Sequence, residues 1–196
     1  MSKEDVLRIC KAWTSFRPSF LSITKNLSRA DLVFLEKSFR RTALEFNKLL
    51  HFIGTPTCVF RRTGELVVVG KEFALLTDWN AEDLVSNDRL IFEVRPTCDA
   101  SVHGTRLLLT SGPTLLVAPR CFQLLDARSV VEFWEHFAYI AMDNSAQSVI
   151  ARCNLLKPDG TAIPCSVCYT IKRDIFDMPL CIVGSFLPVF NSTVRL

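Results

Sequence analysis

From Ser28 to about Ile53, side chains recur at alternating spacings of three and four: Leu32, Leu35, Phe39, Thr42, Phe46, Leu49 and Ile53. This is the a/d pattern of a coiled-coil seam, and it predicts one long helix. Ser28 with Asp31 three residues later supplies the start signal, and Gly54 and Pro56 supply the stop. Such a helix runs about 39 Å at about 1.5 Å per residue. Glu36 and Arg40 form an i,i+4 pair on its flank. Val33, Leu44 and Leu50 add a second apolar stripe, so the helix can pack on its own domain and still offer a ridge to another surface. Upstream, Glu4 to Trp13 predicts a short helix with Val6, Leu7, Cys10 and Trp13 on one face, broken by Pro18.

After Pro56 the period changes to two. Thr57 to Arg61 and Leu66 to Val69 predict a hairpin around Arg62-Thr63-Gly64-Glu65. Lys71 to Trp79 and Ala81 to Val85, the latter capped by Asn80, predict short helices. Residues 95–120 carry Pro, Thr and Ser punctuation and have no assigned element. Order returns at Asp126. Val130, Phe133, Trp134, Phe137 and Ala141 mark a helix over Ser129 to Met142. Three strands follow at Val149–Leu156, Ala162–Arg173 and Pro179–Phe190, the first two joined by Lys157-Pro158-Asp159-Gly160-Thr161, where Gly160 permits a positive φ. The order predicts an α+β architecture: a five-stranded antiparallel sheet with helices on one face and a long N-terminal helix. Residues 1–53 read as a helical extension and 54–190 as the domain, with an atypical insertion at 95–120.

Composition narrows the function. The 196 residues are 49% hydrophobic and 22% charged, enough to bury a sizeable core and close to the globular average. A net charge of +3 points neither to DNA nor to a membrane. The longest uncharged apolar run, Leu107 to Pro119, is interrupted by Gly112 and Pro113 and is too short to span a bilayer. Met1-Ser2-Lys3-Glu4-Asp5 leads into an amphipathic stretch, so no signal peptide is expected. The eight cysteines sit in apolar runs and are expected to be reduced.

No catalytic motif is present: no G-x-S-x-G, no P-loop and no G-x-G-x-x-G. Cys165-x-x-Cys168 has the spacing of a metal or redox pair, but residues three apart in a strand face opposite ways. Glu132 and His136 share a helix face without a visible third ligand. Neither enzyme activity nor a metal site is expected. Arg61-Arg62 and Lys172-Arg173 read as solvated charge at sheet edges.

The run Gly54-Thr55-Pro56-Thr57-Cys58-Val59-Phe60-Arg61-Arg62-Thr63-Gly64-Glu65, with Val69-Gly70-Lys71-Glu72-Phe73 and Leu75-Leu76-Thr77-Asp78-Trp79, resembles the PAS domain of the fungal AcuK-type zinc-cluster activators of gluconeogenesis. Leu155-Leu156-Lys157-Pro158-Asp159-Gly160, Thr170-Ile171-Lys172-Arg173-Asp174-Ile175-Phe176 and Gly184-Ser185-Phe186-Leu187-Pro188 extend the likeness over most of the chain. The resemblance implies a nuclear transcription regulator whose PAS module senses, dimerises or contacts co-regulators. The helix face Leu32, Leu35, Phe39, Phe46, Leu49 and Ile53 is the candidate dimer or signalling surface. The family's six-cysteine zinc cluster is absent, since no cysteine lies between Cys10 and Cys58, so DNA binding is expected only through a domain not present here. The flavin motif N-C-R-F-L-Q is missing and no histidine stands out as a haem ligand, so no fixed cofactor is expected. The alternative is a small-molecule-sensing PAS protein acting without DNA binding.

Overall fold

The computed structural model describes residues 1–86, 91, 124–141, 143 and 146–189. The insertion read at 95–120 lies outside the described residues. The element order is α1 (Lys3–Lys25), α2 (Arg29–Leu50), β1 (Thr57–Phe60), β2 (Leu66–Val69), α3 (Lys71–Thr77), α4 (Ala81–Ser86), α5 (Ala127–Ala141), β3 (Ser148–Leu156), β4 (Ala162–Arg173) and β5 (Pro179–Pro188). The strands form one antiparallel sheet in the order β2-β1-β5-β4-β3.

Period-two patterning gives this sheet two faces. Cys58, Phe60, Leu66, Cys153, Leu155, Cys165, Val167, Tyr169, Ile171, Ile182 and Phe186 look towards α5 and α1. Val59, Val68 and Cys181 look the other way and meet Phe39 and Leu50 of α2. The long N-terminal helix therefore covers the face opposite α5, and the sheet is buried on both sides along β1, β2 and β5. The interior between sheet and α5 is packed with rings. Phe133 lies 5.0 Å from Tyr169 and 5.8 Å from Phe60 between centroids, and Phe73 lies 5.2 Å from Phe186. Edge and tilted arrangements of this kind add about 0.5–1.5 kcal/mol per pair beyond area burial.

Local signals account for the element ends. Both long helices begin with complete capping boxes, Ser2 with Asp5 and Ser28 with Asp31. Asp126 caps α5, its carboxylate accepting the Ser129 N–H at 2.9 Å and the Asn154 side-chain amide at 2.9 Å. Gly64 turns the β1–β2 hairpin at φ 93°, and its N–H donates to Arg61 O at 2.8 Å. Gly160 turns β3 into β4 at φ 84°.

α1 differs from its sequence expectation in length and in face. It runs through Pro18 instead of stopping before it. Proline inside a helix forfeits one backbone hydrogen bond and costs about 3 kcal/mol. Aromatic packing on both sides of that point offsets the cost. Phe16 stacks 6.2 Å from Trp134 and meets Phe137 edge-on at 5.2 Å, and Phe20 lies 5.2 Å from Phe16. The buried stripe is Ile9, Ala12 and Phe16, while Leu7 and Cys10 are exposed. The face assigned from the first thirteen residues lost to the one that stays in phase with Phe16 and Phe20. Arg8 closes the α1–α5 interface with a bidentate pair to Glu135, 2.9 and 2.8 Å.

Gly184 sits on β5 beneath two of the interior rings. A Cβ there would lie 2.9 Å from Phe186 Cε2 and 3.5 Å from Phe60 Cε1. Gly184→Ala is expected to force the buried Phe186 ring to shift and to destabilise the domain by about 1–3 kcal/mol. Urea denaturation followed by tryptophan fluorescence measures this, and an unchanged midpoint would contradict the close packing described.

Candidate functional site

The side chains on which α2 rests define the surface most able to act. Its two buried residues are Phe39 and Leu50. Arg61, at the end of β1, lays its guanidinium over the Phe39 ring with Cζ 3.7 Å from the centroid. The same group donates from Nη2 to both carboxylate oxygens of Glu36, each at 3.1 Å, and Nε lies 3.5 Å from Glu65. Arg40 donates to Glu36 from the other side at 3.1 Å. One turn of α2 is thus clamped to the sheet through a stacked, hydrogen-bonded arginine, a geometry that lysine cannot reproduce.

This corrects the view of Arg61 and Arg173 as solvated edge charge, whereas Arg62 and Lys172 are exposed. Arg62 keeps an exposed surface, but partial burial of its guanidinium pushes the pKa down; it donates to Pro179 O at 3.4 Å and lies 5.8 Å from the Phe20 ring. Arg173 donates to Ala141 O at 2.9 Å, Ile140 O at 2.7 Å and Asp143 O at 3.0 Å. It therefore satisfies carbonyls at the C-terminal end of α5, where helical partners run out. Each arginine joins the sheet to a different helix. Their partners lie far away in sequence, so no local signal marked them.

The seam residues read from the sequence divide between two environments. Phe39 is buried, Leu35, Thr42, Phe46 and Ile53 are half-buried, and Leu32 and Leu49 stay about half exposed at 49% and 48%. Phe39, Phe46 and Ile53 pack with Val59, Val68 and Cys181. Phe39 is committed to the protein's own sheet, and a charge placed there would undock the helix.

The chemistry of the remaining candidates is quiet. Cys165 is buried on the inner face, whereas Cys168 lies on the outer face beside Thr170. Burial pushes the thiols of Cys165 and Cys181 up to about 11 and those of Cys58 and Cys153 higher still. Protonated thiols are poor nucleophiles and poor ligands at neutral pH. Glu132 accepts from Arg128 at 2.9 Å. Among the described residues no cluster of three His, Cys, Asp or Glu side chains is placed to hold a metal ion, and no helix is long and apolar enough to cross a membrane. The Tyr169 hydroxyl is buried inside the ring cluster with no hydrogen-bond partner among the described residues.

The clamp has a pH signature. Burial pushes the Glu36 carboxyl up, but the hydrogen bond from Arg40 and the charge and hydrogen bonds of Arg61 outweigh it and hold the group below the usual carboxylate range. A depressed folded-state value stabilises the protein above the unfolded value of about 4.3 and ceases to do so as pH falls through the folded one. Glu36→Gln is therefore expected to flatten the stability–pH curve in that acid window and to leave its shape above about pH 6 unchanged. Arg61→Ala should cost about 1–2 kcal/mol by denaturant titration, the sum of a half-exposed ion pair and a cation–π contact, with Arg61→Lys recovering less than half.

The family model described as the ERT1/acuK family PAS domain matches residues 55–162 and 158–188. "Transcription activator of gluconeogenesis ERT1" of Mycosarcoma maydis is 41% identical over 189 residues, covering 96% of this chain and 22% of that protein. The ERT1 of Postia placenta is 41% identical and covers 95% of this chain and 40% of that protein. "Transcription activator of gluconeogenesis acuK" of Aspergillus terreus is 34% identical, covering 95% and 34%. The chain thus spans between 22% and 40% of the length of these curated relatives. A solved PAS domain of a protein from Colwellia psychrerythraea is 10% identical with a TM-score of 0.48, covering 74% of this chain and 94% of that one. On the extent of the family match and the identity to these relatives, the chain belongs to the ERT1/acuK family of PAS domains.

Proposed function

We propose that this chain is the PAS regulatory module of a nuclear transcription activator of gluconeogenesis, acting through protein contacts and without catalysis. The supporting observation is that the likeness to the named activators runs through about 95% of this chain, including both long helices ahead of the sheet. The contacts are with a second copy or a co-regulator, and α2 is the element that makes them. It is the helix held to the sheet by a few side chains while Leu32, Val33, Phe34, Leu44 and Leu49 remain exposed. DNA is reached through a zinc-cluster domain outside this chain.

The module holds no fixed cofactor under this proposal. Phe60, Phe73, Phe133, Tyr169 and Phe186 occupy the space between sheet and helices, and a flavin or haem would have to displace them. The one observation favouring the alternative, small-molecule sensing, is the buried Tyr169 hydroxyl, which would gain a partner from a polar ligand atom. Native mass spectrometry of the freshly purified chain separates the two, an added mass in every preparation supporting the alternative.

The main reading is tested by replacing the matching region of the M. maydis relative with this chain in a strain lacking that relative. Growth on a gluconeogenic carbon source should be restored. The same chimera with Phe39→Asp, at equal protein level, should fail. Equal growth from a protein with the whole region deleted would sink the proposal.

A further inference from the structure

The outward surface of α2 is basic in a protein whose charges nearly balance. The protein as a whole carries 23 basic and 20 acidic residues. Of the six exposed charged residues on α2, five are basic, Arg29, Lys37, Arg40, Arg41 and Lys48, and one is acidic, Glu45. The carboxylates of the two other acidic residues of the helix are engaged at its N-cap and in the clamp: Asp31 accepts from Ser28, and Glu36 from Arg40 and Arg61. Between the cations stand large exposed apolar side chains. Val33, Lys37, Arg41, Leu44 and Lys48 follow one another at helical spacing along one side, with Leu44 63% exposed and Phe34 52%.

A groove of about 960 Å³ runs beside this stripe, floored by Val67, Val68 and Val69 of edge strand β2 and bounded by Leu44 and Arg40 on α2 and Val85 on α4. The α4 wall of the groove carries Glu82, so an incoming negative charge is steered to the α2 side of the groove and away from α4. Apolar knobs of this size beside an apolar trough suit an amphipathic polypeptide. Phosphodiester backbones need cations without such knobs. A second copy of the same face would bring Lys37, Arg41 and Lys48 against their own counterparts, which opposes an isologous pairing through this stripe.

We propose that the outward stripe of α2 and its groove form a docking site for an acidic amphipathic segment of a partner protein. The segment's apolar residues enter the trough beside Leu44, and its carboxylates meet Lys37, Arg41 and Lys48. This inference rests on the protein-contact reading above and specifies the partner's chemistry. Charge pairing across an exposed rim acts mainly on encounter and is screened by salt, while the apolar anchors supply affinity.

The test is fluorescence anisotropy with the full chain. The probe is a labelled peptide of about twenty residues with Leu and Phe at i, i+3, i+4 and i+7 and Asp or Glu on the flanks. It should bind, weaken as salt rises, and lose about tenfold in affinity on Leu44→Asp and on the triple change Lys37→Glu, Arg41→Glu, Lys48→Glu. Both variants alter exposed positions, and circular dichroism should show them folded. The counterpart peptide with Lys in place of the acids, and the one with Ser in place of Leu and Phe, should bind at least tenfold more weakly. The inference is overturned if the acidic peptide binds no better than the basic one, or if both variants keep full affinity. It is also overturned if a short DNA duplex or phosphatidylserine vesicles compete more strongly than unlabelled peptide, or if sedimentation shows a homodimer that Leu44→Asp dissociates. A chimera that supports growth while the peptide fails removes this inference alone; a chimera that does not support growth removes the reading beneath it.

Discussion

A single arginine side chain ties α2 to the outer face of the sheet. Arg61 leaves the end of β1 and reaches across the outer sheet face to stack on Phe39 and grip Glu36. The interactions are individually modest. A cation–π contact contributes about 0.5–1 kcal/mol at a partly exposed site, a half-exposed ion pair about 0.2–1 kcal/mol, and burial of one phenylalanine about 1.5–3 kcal/mol. Their sum holds a 22-residue helix with two buried residues against the entropy of releasing it. The dock is firm enough to set a register and light enough for a competing surface to disturb.

The two faces of the sheet therefore serve different ends. The inner face is dense with aromatic rings and sealed to α1 and α5, with Arg8 and Arg173 closing the helix contacts at their margins. Its packed rings suit a rigid scaffold. The outer face carries a helix held by a few side chains, with half its length showing mixed apolar and basic character. A module that reports through contact needs that asymmetry: one face that does not move, and one element whose pose a partner can change. In the proposed role, the position of α2 is the quantity that regulation acts upon.

Much of this was legible along the chain. The strand ends, the Gly160 turn, the Ser28–Asp31 box and the opposed faces of Cys165 and Cys168 all follow from rules acting over a few residues. Long-range choices were not legible. Pro18 reads as a stop because the stacking of Phe16 on Trp134 is invisible without the fold. The seam of α2 reads equally as a packing face and as a ridge for a partner because nothing local says that Val59, Val68 and Cys181 will cover its centre. Arg61 and Arg173 read as edge charge because Glu36 and the α5 carbonyls are each at least 25 positions away. In each case a non-local partner decided between two locally equal outcomes.

The central claim is that Arg61 holds α2 on the outer face independently of the rest of the core. Hydrogen exchange read by mass spectrometry, comparing the unmodified chain with Arg61→Ala, tests it directly. The account predicts faster exchange across residues 29–50 while α5 and β3–β5 keep their protection. Unchanged protection of α2, or an equal loss across the whole domain, would contradict it.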